Sequence, residues 1–284
     1  MFLRPTSHSA ALGPGCAGPP LAQHTPAPPE NVAPTLQVPL EGAAAFMVDP
    51  QMAAGHAPKK HTSTPYVTGT SVLGITYKDG VMIAADTLGS YGSTKRYKSF
   101  ERLRKINDST VIGAGGELSD FQYLLTLLDE LTTEDFVEND GASLSPKELF
   151  SYLSRVLYNR RSKMDPLWNS IVVAGLQDEK PFLGTISMLG VHFHDEHIAT
   201  GFGQMLARPL FRERHHPDMS EEDAVKLMHE GLRVCYYRDK QTTNKFQIAT
   251  VTKNGTSISE PFALDTQWGY KAFQEPGAGA VGTW

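Results

Sequence analysis

At 284 residues the chain is long enough for one large domain with an ample core, and 40% hydrophobic with 20% charged residues is ordinary for a globular fold. A formal net charge of −5 gives no basic footprint for nucleic acid, and no run of about 18 apolar residues is present to span a bilayer. The two cysteines, Cys16 and Cys235, exclude a disulfide framework and favour a reducing compartment.

The opening Met-Phe-Leu-Arg-Pro has neither a charged segment followed by a continuous apolar one nor the arginine content of a transit peptide. The expected location is cytoplasm and nucleus. Residues 1–61 are rich in Pro, Ala and Gly and cannot bury enough apolar area to offset their ordering entropy, so they read as a disordered leader. The expected domain runs over 62–262, with a C-terminal arm at 263–284.

The domain opens on a hairpin. Ser71 to Tyr77 and Val81 to Asp86 read as strands about Asp79-Gly80. Leu103 to Ile106 and Thr110 to Ala114 form a second pair about Asn107-Asp108-Ser109. Phe121, Leu124, Leu125, Leu128 and Leu131 then recur at helical spacing. A second helix is announced by Ser145 as cap, Pro146 at the first position and Glu148 closing a capping box. Phe150, Leu153 and Leu157 supply its buried face, and it ends near Arg161.

Strands are expected at Ile171 to Leu176, Phe182 to Ser187, Val191 to His194 and Ile198 to Gly201. A short helix spans Gln204 to Arg212, and a longer one starts at Ser220 with Asp223. Phe246 to Thr252 and Thr256 to Ser259 flank a final hairpin at Asn254-Gly255. Two sheets packed face to face, each covered by a helix pair, bury every one of these stripes. The fold class is α+β, a four-layer αββα sandwich.

Gly69-Thr70-Ser71, Gly80 to Asp86, Gly115-Gly116 and Tyr237-Arg238-Asp239 resemble the beta subunits of the proteasome core in order and spacing. Thr68 to Gly74, Gly89 to Ser93, Arg160 to Asn169 and Phe246 to Thr252 are similar to one non-catalytic class among them. The resemblance covers residues from about 62 to about 270 and implies the N-terminal-nucleophile hydrolase fold.

A threonine protease of that family uses a hydroxyl nucleophile whose own free α-amine, of ordinary pKa about 7.7 to 8, serves as base. A lysine beside the hydroxyl, a carboxylate holding that lysine and a backbone amide for the oxyanion complete the set. The resemblance puts Thr70 in the nucleophile's place, Asp86 in the carboxylate's, Gly116 in the oxyanion glycine's, and Asp239 in a supporting carboxylate's. Arg102 stands where the lysine belongs, and a guanidinium is planar and in effect never deprotonated. Phe202 replaces a supporting serine, and Thr242-Thr243 a serine-glycine pair. Asp86 and Asp239 then read as structural acids pairing with nearby arginines, and Gly116 as the permissive residue of a tight turn. The resemblance also implies cleavage upstream, near His61-Thr62, which leaves Thr70 amide-bonded.

His192, His194 and His197 lack supporting cysteines, so no metal and no cofactor are expected. Arg160-Arg161-Ser162-Lys163 complements a helix C-terminus and also suits a subunit contact. Trp268, Tyr270, Phe273 and Trp284 are the aromatic anchors of the arm, which by resemblance reaches the facing beta ring. The expected role is a non-catalytic structural beta subunit supporting ubiquitin-dependent protein degradation. Its implied partners are the other alpha and beta subunits in a hetero-oligomer of 28 chains. The competing role is an active threonine endopeptidase with Thr70 as nucleophile, and Arg102 discriminates against it.

Overall fold

The computed structural model describes residues 64–138 and 140–269. Its first strands are β1 (Val67–Gly69), β2 (Val72–Tyr77), β3 (Gly80–Asp86), β4 (Gly89–Tyr91), β5 (Thr94–Tyr97), β6 (Leu103–Asn107) and β7 (Thr110–Glu117). Helices α1 (Leu118–Glu138) and α2 (Pro146–Ser162) follow, then β8 (Asn169–Gln177), β9 (Lys180–Ile186), β10 (His192–His194) and β11 (His197–Ala199). Next come α3 (Gly203–Leu206), α4 (Arg208–Arg214) and α5 (Glu221–Arg238), and the chain returns through β12 (Phe246–Thr252) and β13 (Gly255–Ile258).

One sheet is ordered β10-β9-β8-β7-β1-β4-β5, and β6 also pairs with β7. On that β7 edge β6 covers Thr110 to Gly113 while β1 covers Gly116 and Glu117. The other sheet is ordered β11-β2-β3-β12-β13.

Alternation along the strands builds the layers. Val72, Val81, Ile83 and Ala85 meet Val111, Val172, Ala174 and Val251 between the sheets. Their sequence neighbours Leu73, Ile75, Tyr77, Met82 and Ala84 point the other way, onto Phe211, Leu227, Met228 and Leu232 of α4 and α5. On the larger sheet Ile112, Ala114, Ile171 and Val173 pack under Phe121, Leu124 and Leu128 of α1 and Leu149, Leu153 and Leu157 of α2. Each of the Val, Leu, Ile, Met and Phe side chains among them contributes roughly 1.5–3 kcal/mol by leaving water. The result is the expected αββα sandwich.

The capping box is present: Ser145 Oγ accepts from Glu148 N at 3.3 Å, and Glu148 Oε2 accepts from Ser145 N at 2.8 Å. The Ser145 N–H and hydroxyl, each donating to Oε2 at 2.8 Å, hold the Glu148 carboxyl below the usual carboxylate range. The helix expected over Gln204 to Arg212 is instead two, α3 and α4. Pro209, in the first turn of α4, has no N–H to continue a helix from α3. His192 and His194 share a face, over the rings of Phe150 and Phe182 at 5.5 and 6.4 Å.

Beyond β13 the described residues, up to 269, pack on their own domain. Leu264 is buried, its backbone paired with the Asn244 side chain, and Trp268 lies edge-on against Tyr236 and Tyr237. The leader, His61, Thr62, Tyr270, Phe273 and Trp284 lie outside the described residues.

Candidate functional site

The chain passes from one sheet to the other at Thr70-Ser71, between the end of β1 and the start of β2. Around this crossover the fold gathers Asp86 at the end of β3, Arg102 just ahead of β6, Gly116 in β7, and Asp239 capping α5. The sequence-identified positions therefore do converge, apart from the Phe202 ring.

Arg102 is fully buried, and all five of its N–H groups find acceptors. Nε donates to Asp86 O at 3.0 Å. Nη1 donates to Thr70 O and Ala114 O, both at 3.0 Å, and Nη2 to Ser71 O at 2.9 Å. The last N–H, on Nη2, forms the ion pair with Asp86 Oδ1. One side chain thus ties the crossover, β3 and β7 together. None of its hydrogen bonds goes to the Thr70 hydroxyl.

Burial pushes the Asp86 carboxyl above the usual range, while Arg102 and the Thr243 N–H, which donates to Oδ2 at 3.0 Å, pull it back down. Asp239 corrects the sequence reading. Its carboxylate is held not by an arginine but by the Thr70 hydroxyl, Oγ1 to Oδ2 at 2.5 Å, and by the Gln241 N–H at 2.8 Å. Asp239 is the last turn of α5 unwinding, so its side chain swings back toward the crossover where a hydroxyl is the nearest donor.

Two glycines are explained by close approach. A Cβ on Gly69 would lie 2.5 Å from Arg102 Cδ, so the missing side chain is the space the arginine stem fills. Gly116 has φ +90°, and a Cβ there would lie 2.0 Å from Trp168 O. It sits just before the chain turns from β7 directly into α1, as the sequence reading expected.

Phe202 is 53% exposed, and its loop reaches the crossover through another residue: Gly203 N donates to Ser71 Oγ at 2.9 Å. Thr242 accepts from Lys95 Nζ of β5 at 2.6 Å.

Sequence reasoning missed Glu117. This buried carboxylate accepts from Tyr66 N at 2.5 Å and Val67 N at 3.1 Å through Oε2, and from Ser119 Oγ at 3.0 Å through Oε1. It pins the segment ahead of Thr70. Only its adjacency to Gly115-Gly116 marked it in the sequence, and spacing alone does not reveal a partner fifty residues away.

The Thr70 hydroxyl donates to Asp239, and among the described residues no lysine or arginine donates to Thr70 Oγ1.

A profile described as "Proteasome subunit" matches residues 66–251. The chain belongs to the proteasome subunit family. It is 52% identical over 225 residues to "Proteasome subunit beta type-4" of Arabidopsis thaliana, covering 79% of this chain and 92% of that protein. The Xenopus laevis protein of the same name is 45% identical over 216 residues, covering 75% and 89%. "Proteasome subunit beta type-7" of Saccharomyces cerevisiae is 43% identical over 211 residues, covering 71% and 79%. Within the proteasome family the chain's place is thus among the beta subunits of the core, on the N-terminal-nucleophile hydrolase fold.

Proposed function

We propose that this proteasome subunit is non-catalytic and serves the particle as architecture, shaping the proteolytic chamber from within a beta ring. The observation that carries the reading is Arg102. Its guanidinium is spent on Asp86 and four backbone carbonyls, so among the described residues no cation hydrogen-bonds to the Thr70 hydroxyl to activate it. The second support is β1. Val67 and Thr68 pair with β4, and Thr68 and Gly69 with β7, so the segment ahead of Thr70 is built into the sheet, and while it stays attached the Thr70 nitrogen is an amide without basicity.

In this reading the partners are the neighbouring beta chains, the alpha ring and the facing beta ring of a 28-chain particle, working in cytoplasm and nucleus. Obligate surfaces of this kind are large. The test is Thr70→Ala in assembled particles, assayed on a panel of peptide substrates. Hydrolysis of every substrate stays at the wild-type rate; loss of one specificity overturns the proposal.

A further inference from the structure

The β4–β5 hairpin carries charge that its surroundings leave unanswered. From Thr87 to Phe100 the sequence holds Lys95, Arg96 and Lys98 and no Asp or Glu, in a chain whose formal net charge is −5. A fourth cation, Lys245, joins them by donating from Nζ to Ser99 Oγ at 2.9 Å. Among the described residues none of the four forms an ion pair.

Tyrosines frame these cations. Tyr66, Tyr91 and Tyr97 each stand about half in solvent. Tyr66 stacks on Tyr91 with ring centroids 6.5 Å apart, and the Arg96 guanidinium lies over Tyr91 at 5.9 Å and over Tyr97 at 5.7 Å. The register explains its aim. Tyr97 pairs with Gly89 and Lys95 with Ser90, so Arg96 is the extra residue of a bulge, and a bulge re-aims the side chain it carries. A planar cation resting on aromatic faces is already oriented for a carboxylate and loses little freedom in binding one.

β5 ends the larger sheet, and Thr94 to Tyr97 are exposed throughout. An open edge presents backbone N–H and C=O groups that another polypeptide can complete, so a peptide fits here better than a nucleic acid. The bulge and the lysines keep apolar strands off this edge, and the same charges admit an acidic one. Position bears on which peptide arrives. β4 pairs with β1, the strand that leads into Thr70, so the hairpin flanks the crossover that faces the chamber in the reading above.

We infer that the β4–β5 hairpin is a docking edge for acidic, extended segments of chains held in the proteolytic chamber, with Arg96 and Lys98 as its carboxylate-binding groups. This rests on the reading of the subunit as chamber wall and gives that wall a preference among substrates. The binding is non-covalent and screened by salt.

The test uses assembled particles. Lys95 and Lys245, which hydrogen-bond to Thr242 O and Ser99 Oγ, stay in place, and the variant is Arg96→Glu with Lys98→Glu. Two unfolded substrates are compared, identical except that a segment rich in Asp and Glu in one carries Asn and Gln in the other. Wild-type particles take the acidic substrate at the lower KM, and added salt removes the difference. In the variant the acidic substrate's KM rises about fivefold, the scale of one exposed ion pair lost, while its kcat and the neutral substrate's KM stay as they were.

A wild type without the acidic preference, a preference that survives the charge reversal, or a neutral substrate whose KM rises in step overturns the inference. So does a fall in particle yield, which would give the edge to a neighbouring subunit. The full-length chain is also titrated with fluorescent poly-glutamate. Single-stranded RNA that displaces it as readily as unlabelled poly-glutamate would mark a general polyanion surface, and that result overturns the inference too. The Thr70→Ala assay decides the non-catalytic reading separately, so the two can fail apart.

Discussion

Arg102 and Thr70 meet at the threonine carbonyl and not at its hydroxyl: the guanidinium Nη1 donates to that carbonyl at 3.0 Å, while the hydroxyl donates to Asp239. A lysine in this place would offer a compact ammonium with three donors. The arginine offers a planar fork of five, and all are taken up by the frame around the site.

Restoring the lysine therefore fails to restore chemistry. Arg102→Lys keeps one positive charge but leaves at least two of the five acceptors without a donor, at about 1–3 kcal/mol each. The variant is expected to unfold at lower denaturant by at least about 2 kcal/mol, with no new peptide hydrolysis. Unfolding curves and a fluorogenic assay check both halves; a stable, newly active variant contradicts the assignment.

Gly69 and Gly116 separate two kinds of crowding. Gly69→Ala pushes on the arginine stem, a side chain that can shift, and costs about 1–3 kcal/mol as overpacking does elsewhere. Gly116→Ala drives a Cβ into the Trp168 carbonyl at a backbone angle of φ +90°, so neither partner can give. Gly116→Ala is expected to be the more destabilising of the two in the same unfolding experiment. The reverse order would mean that Arg102 is held more rigidly than the β7–β8 backbone.

Two half-buried histidines lower stability toward acid pH. Burial holds the His197 imidazole below its ordinary range, with Asp195 opposing and His215 and Arg208 adding to the depression. Burial and Arg233 do the same to His229. The unfolded chain protonates these rings near pH 6.5, the folded chain only lower. Their contribution is therefore fully present above about pH 6.5 and falls as the pH drops toward the folded values. Unfolding midpoints at pH 7.5 and 5.5 should differ in the wild type, and by less in His197→Gln. Equal differences would show that His197 does not titrate in this window.

The parts of the fold legible in the sequence are those set by local chemistry. The α2 start could be read from Ser145, Pro146 and Glu148 because the capping box is closed within four residues. β2, β3 and β12 could be read because their alternation serves two buried faces at once. β4 and β5 were not legible: Gly89-Ser-Tyr and Thr94-Lys-Arg-Tyr have no apolar period, and their cross-strand side-chain contact is a cation, Arg96, over the Tyr91 ring at 5.9 Å. β1 was missed for the same reason, although it carries the site.

Among the site residues, the resemblance located Thr70, Asp86, Arg102, Gly116 and Asp239, but not what each one touches. Asp239 takes a hydroxyl rather than an arginine because the one buried arginine at the crossover is already saturated. Phe202 belongs to the loop that reaches Ser71, yet the contact is made by the backbone of Gly203. Glu117 stayed hidden because its partners lie in β1 and just ahead of it, a strand the hydrophobic pattern does not mark.

The most direct test of the account is the N-terminal residue of this subunit, read by mass spectrometry from native particles. The expected start lies upstream of Tyr66, with Thr70 amide-bonded inside the chain. A start at Thr70 would expose a free amine beside the hydroxyl and contradict the non-catalytic reading despite Arg102.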